Sequence, residues 1–331
     1  MNHPELPAVI LAAFILDMLI GDPRYRWHPI RIIGNSISSL VGILKMTGLT
    51  GRAGGIILAT TVATIFVAAY LLMQLALEQI HPLPAMLLDL FLCYSFLAVK
   101  DLSNHTRPVI ACLEQGDLPG ARKAVSMVVG RDVNSLDHTG VIRASVETLA
   151  ENFVDGFLSP IFWYVIAGLT ACLAGLDPLP AAVCLMLIFK VASTLDSMVG
   201  YKNDEFSGIG WAGARLDDLM NFIPARLCLV ILSLGVAMTG LDPVTGFKVA
   251  MRDRLKHDSP NAAHAESFVA GALGVRLGGP TVYSEGLKNK PWLAEDYPDP
   301  GIEDIRRATN MLNASAWISV ILSVAVLAVK N

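Results

Sequence analysis

The sequence predicts an all-α polytopic integral membrane protein, a helical bundle with amphipathic membrane-adjacent helices and polar loops. Three observations carry that expectation. Hydrophobic residues fill 53% of the 331 positions and charged residues only 16%, against about 25% charge in ordinary soluble domains. Several uncharged runs approach or exceed the roughly 20 apolar residues that a helix needs to cross a bilayer. Proline-containing breaks such as His81-Pro82-Leu83-Pro84 and Asp177-Pro178 punctuate the runs, ending one helix and starting the next. Lipid-facing backbone must satisfy its own hydrogen bonds, so no sheet of consequence is expected.

Taken in order, a single membrane domain, 1–331, is expected to carry about seven apolar segments. The first, 6–20, contains Asp17 and is broken by Gly21-Asp22-Pro23. With no basic run before it and no convincing cleavage site, it is expected to stay in the mature chain. The run 54–77 is the clearest span, followed by the shorter 84–99 with Asp89. Residues 100–129 read as amphipathic helices split by Gly116-Asp117-Leu118-Pro119-Gly120. Segments 157–175, 179–199, 223–240 and 308–329 complete the set, with a long polar segment, 241–307, before the last. Basic residues cluster after the first span (Arg24, Arg26, Arg31, Lys45, Arg52) and after 84–99 (Lys100, Arg107, Arg122, Lys123, Arg131). The hairpins 78–83 and 176–180 have none, which places 22–53 and 100–155 in the cytoplasm. Strict alternation then sends 241–307 outside despite its basic residues, unless 223–240 re-enters the membrane.

Several function classes drop out. A net charge of −4 without a basic, aromatic-interleaved patch gives no nucleic-acid signal. The five cysteines form no C-x-x-C and read as packing residues of a reduced protein. No Walker A loop, H-E-x-x-H or G-x-S-x-G is present. His257 and His264 lack a third ligand at zinc spacing.

The polar residues gather in blocks. Arg143, Glu147, Glu151 and Asp155 recur every four positions, one stripe on a helix, and run straight into the uncharged segment 156–176. That stripe is either a solvated face with Arg–Glu pairing or a row of acids facing a polar cavity or cation. Asp17, Asp22 and His28 sit in 16–34, a loop or a site with two carboxylates and an imidazole. Lys190, Thr194, Asp196 and Ser197 end an apolar run as an ion pair or a ligand set. Asp217, Asp218 and Asn221 offer oxygen ligands to a hard cation such as Mg²⁺, flanked by Arg215 and Arg226, which suit phosphate; the other reading is a solvated helix start. The small residues of 252–279 either let backbone N–H groups approach an anion or form a flexible loop and a tightly packed helix.

The blocks GDPRYRWHP (21–29), GRD (130–132), RASVETLAENFVDGFLSPIFW (143–163), STLDSMVGYK (193–202), ARLDDLMNFIPAR (214–226) and SPNAAHAESFVAGALGVRLGG (259–279) cover nearly the whole chain in order. Together they resemble the adenosylcobinamide-phosphate synthase family, the CbiB/CobD membrane proteins of cobalamin biosynthesis. AHAESF at 263–268 departs from the Gly-x-Pro-Glu-Ala-Ala pattern expected there, although Glu266 falls where the acid should be.

The resemblance implies a multi-pass enzyme of the bacterial inner membrane. It implies ATP- and Mg²⁺-dependent amide ligation of (R)-1-amino-2-propanol phosphate to adenosylcobyric acid, giving adenosylcobinamide phosphate. The corrinoid is then a substrate, not a prosthetic group. The expected partners are these small molecules, the lipid bilayer and other membrane enzymes of the pathway, with no nucleic acid. Chemical inference assigns the candidate roles. Glu147, Glu151, Asp155, Asp196 and His28 are the catalytic candidates, His28 as a base. Arg131, Arg143, Asn152, Lys202, Arg215, Arg226, Ser259, Asn261 and Glu266 are the substrate- and phosphate-binding candidates. Glu147, Glu151, Asp217 and Asp218 are the Mg²⁺ candidates, and all these blocks are expected to converge on one cavity. Two rivals are a membrane transporter or channel for a divalent cation or corrinoid, and a non-catalytic scaffold.

Overall fold

The computed structural model describes residues 3–23, 25–201, 203, 205–283 and 286–329; Arg24 and Lys202 lie outside them. The described residues are predominantly helical. The helices are α1 (Glu5–Ile20), α2 (Pro29–Met46), α3 (Arg52–Glu78), α4 (Pro82–Ser95), α5 (Val99–Glu114), α6 (Leu118–Val125) and α7 (His138–Phe153). A π-helical turn, Val154–Leu158, leads into α8 (Ser159–Ala174), followed by α9 (Pro178–Val199), α10 (Trp211–Met220) and α11 (Phe222–Met238). Then come α12 (Pro243–Asp253), α13 (Ala262–Leu273) and α14 (Ile302–Val329). Four short strands, β1 (Leu277–Gly278), β2 (Thr281–Tyr283), β3 (Gly286–Lys288) and β4 (Trp292–Leu293), form two antiparallel pairs, β1 with β4 and β2 with β3.

Local chemistry sets many of the helix starts. Asp117, Asp137, Asp177 and Asp242 each accept a first-turn backbone N–H, satisfying donors that the helix cannot reach. His28 and His81 do the same with an imidazole nitrogen. Pro29, Pro82, Pro178 and Pro243 each occupy the first helical position, where a missing N–H costs nothing.

Six helical runs are long and apolar enough to cross a membrane: Arg52–Glu78, Pro82–Glu114, His138–Ala174, Pro178–Val199, Trp211–Met238 and Ile302–Val329. The chain is therefore an all-α membrane protein. The predicted segment 6–20 forms α1, whose 16 residues reach about 24 Å at ~1.5 Å each, short of a ~30 Å hydrocarbon core.

The chain divides into two compact units. The first comprises residues 1–98, 159–221 and 320–331. In it α9 packs on α8, α10, α3 and α2, while α4 packs on α1 and α3. Its buried charge is absorbed locally: Tyr70 Oη donates to Asp89 Oδ1 at 2.6 Å, and Gln74 Nε2 to Oδ2 at 3.2 Å. The second comprises residues 99–158 and 222–319. There α13 is central, packed on α12, α11, α7, β1 and β4, and α7 also meets α5 and α6. Nearly the whole of α13 is buried, which its run of Ala, Ser and Gly permits.

In the second unit Gly235 lets α11 and α14 touch, since a Cβ there would lie 2.0 Å from Ser315 Oγ. Gly235→Val is expected to lower the melting temperature in detergent by several degrees, the scale of an overpacked core at about 1–3 kcal/mol. Gly42, whose Cβ would meet nothing within 4 Å, serves as the control: Gly42→Ala melts at or slightly above the parent.

Candidate functional site

In the second unit the acidic stripe of α7 meets the segment that follows α13. Glu147 is 5% exposed. Its Oε2 accepts from Arg131 Nη2 at 2.6 Å, and its Oε1 accepts from the Gly278 backbone N–H at 2.7 Å. The helix-neighbour pairing with Arg143 is thus not formed. Arg143 instead donates to the Gly278 carbonyl at 3.2 Å and stacks over Trp292, 4.7 Å from the ring centroid. Two glycines make this approach possible. Gly278 and Gly279 have φ of 74° and 80°, in the region that disfavours side chains. A Cβ on Gly279 would also strike the Trp292 ring at 2.5 Å.

Around that fastening lie the remaining groups. Glu151, one turn beyond Glu147, is exposed to solvent. Glu266 on α13 is 6% exposed. Burial, then the charges of Glu147 and Glu151, push its carboxyl well above the usual range. Two cations oppose the three acids. Burial works against the charge of Arg131, but Glu147 outweighs it and holds the proton more firmly than usual. Lys290 is also raised: burial opposes its charge, while Tyr283, Glu147 and Glu266 favour it. His257, held down to about 4 by burial and by Lys290, is a neutral imidazole whose Nδ1 accepts from the Ser259 N–H at 3.0 Å. Lys290, Tyr283 and Trp292, on the hairpins after α13, and His257, in the loop before it, have no spacing signal in the sequence, because only contacts between distant segments bring them to this site.

The other expected residues have contacts of their own. Asn152 lies on a different face of α7, lining a small pocket with His105, Thr106, Ser145 and Thr148. Asp155 sits in the π-helical turn. Arg226 donates to Asn261 Oδ1 at 3.2 Å, and Ser259 Oγ accepts from the Asn261 N–H at 3.3 Å. His28, Asp196, Arg215, Asp217 and Asp218 belong to the first unit. There the His28 Nδ1 accepts from Ile30 N–H and its Nε2 lies 2.9 Å from Asp22, so both ring nitrogens are engaged. Asp217 accepts from Asn221, which accepts from Ser159.

Among the described residues, no three His, Cys, Asp or Glu side chains come together as a metal cage. Mg²⁺ does not require one, since it takes one or two carboxylates and completes its shell with phosphate oxygens and water. Glu151 and Glu266 are oxygen donors of that kind; Glu147, with both oxygens engaged, is not.

Arg131→Met leaves the Glu147 charge buried with one partner lost, and is expected to cost about 3–5 kcal/mol. Arg131→Met combined with Glu147→Met recovers most of that loss in the same thermal or denaturant melt. For Glu266 the proton is held more tightly in the folded chain than in the unfolded one. Stability therefore falls as pH rises from the usual carboxylate range through its raised value. Glu266→Gln removes that fall, so pH-dependent melting curves of the variant should be flatter and higher above neutral pH.

The sequence matches the family model described as CobD/Cbib protein over residues 10–312. Among curated relatives, "Cobalamin biosynthesis protein CobD" of Pelobacter propionicus is 36% identical over 98% of this chain and 96% of its own length. The CobD protein of Rhodobacter capsulatus is 38% identical over 91% and 90%. "Cobalamin biosynthesis protein CbiB" of Salmonella arizonae is 33% identical over 95% of each. No solved structure matches the chain. This chain belongs to the CobD/CbiB family of cobalamin biosynthesis proteins.

Proposed function

We propose that this membrane protein is the ligase that joins adenosylcobyric acid to (R)-1-amino-2-propanol phosphate, and that it works in a bacterial inner membrane. The observation that carries this reading is the gathering of Glu147, Glu151 and Glu266 with Arg131 and Lys290 at one place on α7. Family membership supports the pathway. A transporter would place such acids between paired half-helices, whereas here Glu147 is fastened to the loop before α7 and to the hairpins after α13.

Amide formation needs a carboxylate made electrophilic and an amine stripped of its proton. Mg²⁺–ATP, when bound, supplies the phosphoryl group that activates the carboxylate and the charge that offsets the phosphates. Glu151, open to solvent, would hold the metal side, with Glu266 near it. Arg131 and Lys290 stabilise the negative charge of the transferring group, their positions fixed in a low-dielectric site where such charges act strongly. Burial and the charges of Glu147 and Glu151 keep Glu266 protonated; ionised beside a bound cation, it would accept the proton that the amine releases, as a carboxylate of raised proton affinity does. His257 stays neutral and positions the loop through Ser259. Glu147 does not meet substrate; it holds Arg131 and the Gly278 backbone in place.

The test is direct. Purified protein, given the corrinoid acid, the amino-alcohol phosphate, ATP and Mg²⁺, should form the amide, detected by mass. Glu151→Gln should insert and stay monodisperse while ligation falls by about 10²-fold, the scale for losing one electrostatic stabiliser. Raising Mg²⁺ should recover part of it. No amide from the parent protein overturns the ligase; near-normal turnover of Glu151→Gln moves the metal away from α7.

A further inference from the structure

A second cluster in the same unit, on the other side of α13 from Glu266, has the opposite charge. Arg226 is placed by three contacts: its guanidinium lies 3.4 Å from the Phe222 ring centroid, and Nη1 donates to the Phe222 carbonyl at 2.6 Å and to Asn261 Oδ1 at 3.2 Å. Asn261 is the residue that opens α13, yet its side chain makes no cap hydrogen bond to that helix. The first backbone N–H groups of α13 therefore have no side-chain acceptor, and they carry the positive end of the helix dipole. The charge of Arg254 acts against that of Arg226, and the Arg254 Nε is buried without a hydrogen-bond partner among the described residues.

His264, in the first turn of α13, is 0% exposed. Its Nδ1 lies 3.2 Å from the Asn261 carbonyl, and a carbonyl only accepts, so Nδ1 bears the proton. The other nitrogen, Nε2, is then an acceptor, and it has no partner among the described residues. Burial and then the Arg226 charge hold this ring down to about 4, so it is neutral near neutral pH. The charged groups facing it are Arg226 and Arg254.

These requirements narrow the ligand. Two like-charged guanidinium groups beside a helix N-terminus call for an anion of more than one oxygen. A buried nitrogen acceptor in the same place calls for a donor on that anion. Sulfate near neutral pH has no proton to give, and neither does the phosphodiester of a membrane lipid. A phosphomonoester has its second ionisation near pH 6, so about a tenth of it still carries a proton at pH 7, a form that sulfate and a phosphodiester lack and that the buried acceptor selects.

We propose that Arg226, Arg254 and the N-terminus of α13 form a subsite for a phosphomonoester, with His264 Nε2 accepting its P–O–H proton. This deepens the ligase reading and rests on it for the identity of the substrate: the subsite holds the phosphate end of the amino-alcohol phosphate. The ring is fully buried, so binding opens the N-terminus of α13 around it. The face of α13 that bears Glu266 is left to the amide-forming chemistry.

Calorimetric titration of the full chain in detergent, near neutral pH, tests the subsite without any ligation assay. The probes are inorganic phosphate, O-phosphoethanolamine and sulfate. Phosphate and O-phosphoethanolamine should bind, with sulfate at least about tenfold weaker, a difference of ~1.4 kcal/mol. Arg254→Gln, a half-exposed change that leaves the fold intact, should weaken phosphate about tenfold or more. His264→Phe, which fills the space but offers no acceptor, should erase the preference for phosphate over sulfate. Equal binding of sulfate and phosphate, or phosphate binding unchanged in Arg254→Gln, overturns the proposal. Repeating the phosphate titration in nanodiscs containing phosphatidylglycerol separates the sources. Loss of phosphate binding there assigns the cluster to a lipid headgroup and overturns it; retention supports it. Phosphate binding with no ligation would sink the ligase reading while leaving the subsite standing.

Discussion

Glu147 carries a charge into a position with almost no solvent, and much of the second unit is arranged to accept it. An isolated buried carboxylate costs several kcal/mol, and it persists as an ion only when both oxygens find donors. Arg131 supplies one and the Gly278 N–H the other, so a loop before α7, α7 itself and the first strand after α13 are tied to a single side chain. With Glu147 satisfied, the negative potential it leaves falls on Glu151 and Glu266. Those are the two acids free of that structural duty.

The same economy of charge runs through the polar segment after α12. Buried Asp253 accepts from Arg252, Lys256 and the Ala294 N–H, fixing Ala294 at φ 53°, the one non-glycine positive φ among the described residues. Arg276 meets Asp299 through two 2.8 Å bonds and stacks on Trp292, whose ring Arg143 also covers. Lys288 pairs with Asp258, and Arg306 with Glu114 and Glu303. These basic residues hold hairpins and helix ends together. Their number in 241–307 therefore follows from the folding of that segment as much as from its side of the membrane.

Polar residues near apolar spans thus separate into two kinds. Asp89, His28 and Asn221 have their hydrogen-bonding capacity met by neighbours within the first unit, and a buried polar network of that kind specifies packing. Glu266, His264 and Arg254 are different. Each is held in an environment that opposes its charge or leaves a nitrogen without a partner, which is the state of a group arranged for something outside the protein.

The sequence by itself determined the all-α membrane class, most helix boundaries and the family. Those depend on local quantities: uncharged runs, Asp-Pro and His-Pro starts such as Asp177-Pro178 and His28-Pro29, and ordered blocks of residue types. It also showed that Glu147 and Glu151 share a helix face, because a four-residue spacing is a property of one helix. Which of them is structural was decided only by tertiary structure. The partner of Glu147 is not Arg143, one turn away, but Arg131 and a glycine N–H brought in by the hairpins after α13. Lys290 and His257 were invisible for the same reason, as was the pairing of Arg226 with Asn261 and its approach to Arg254. A chain's periodicity reports which face a residue occupies. What stands opposite that face depends on contacts between distant segments, and no local pattern encodes them.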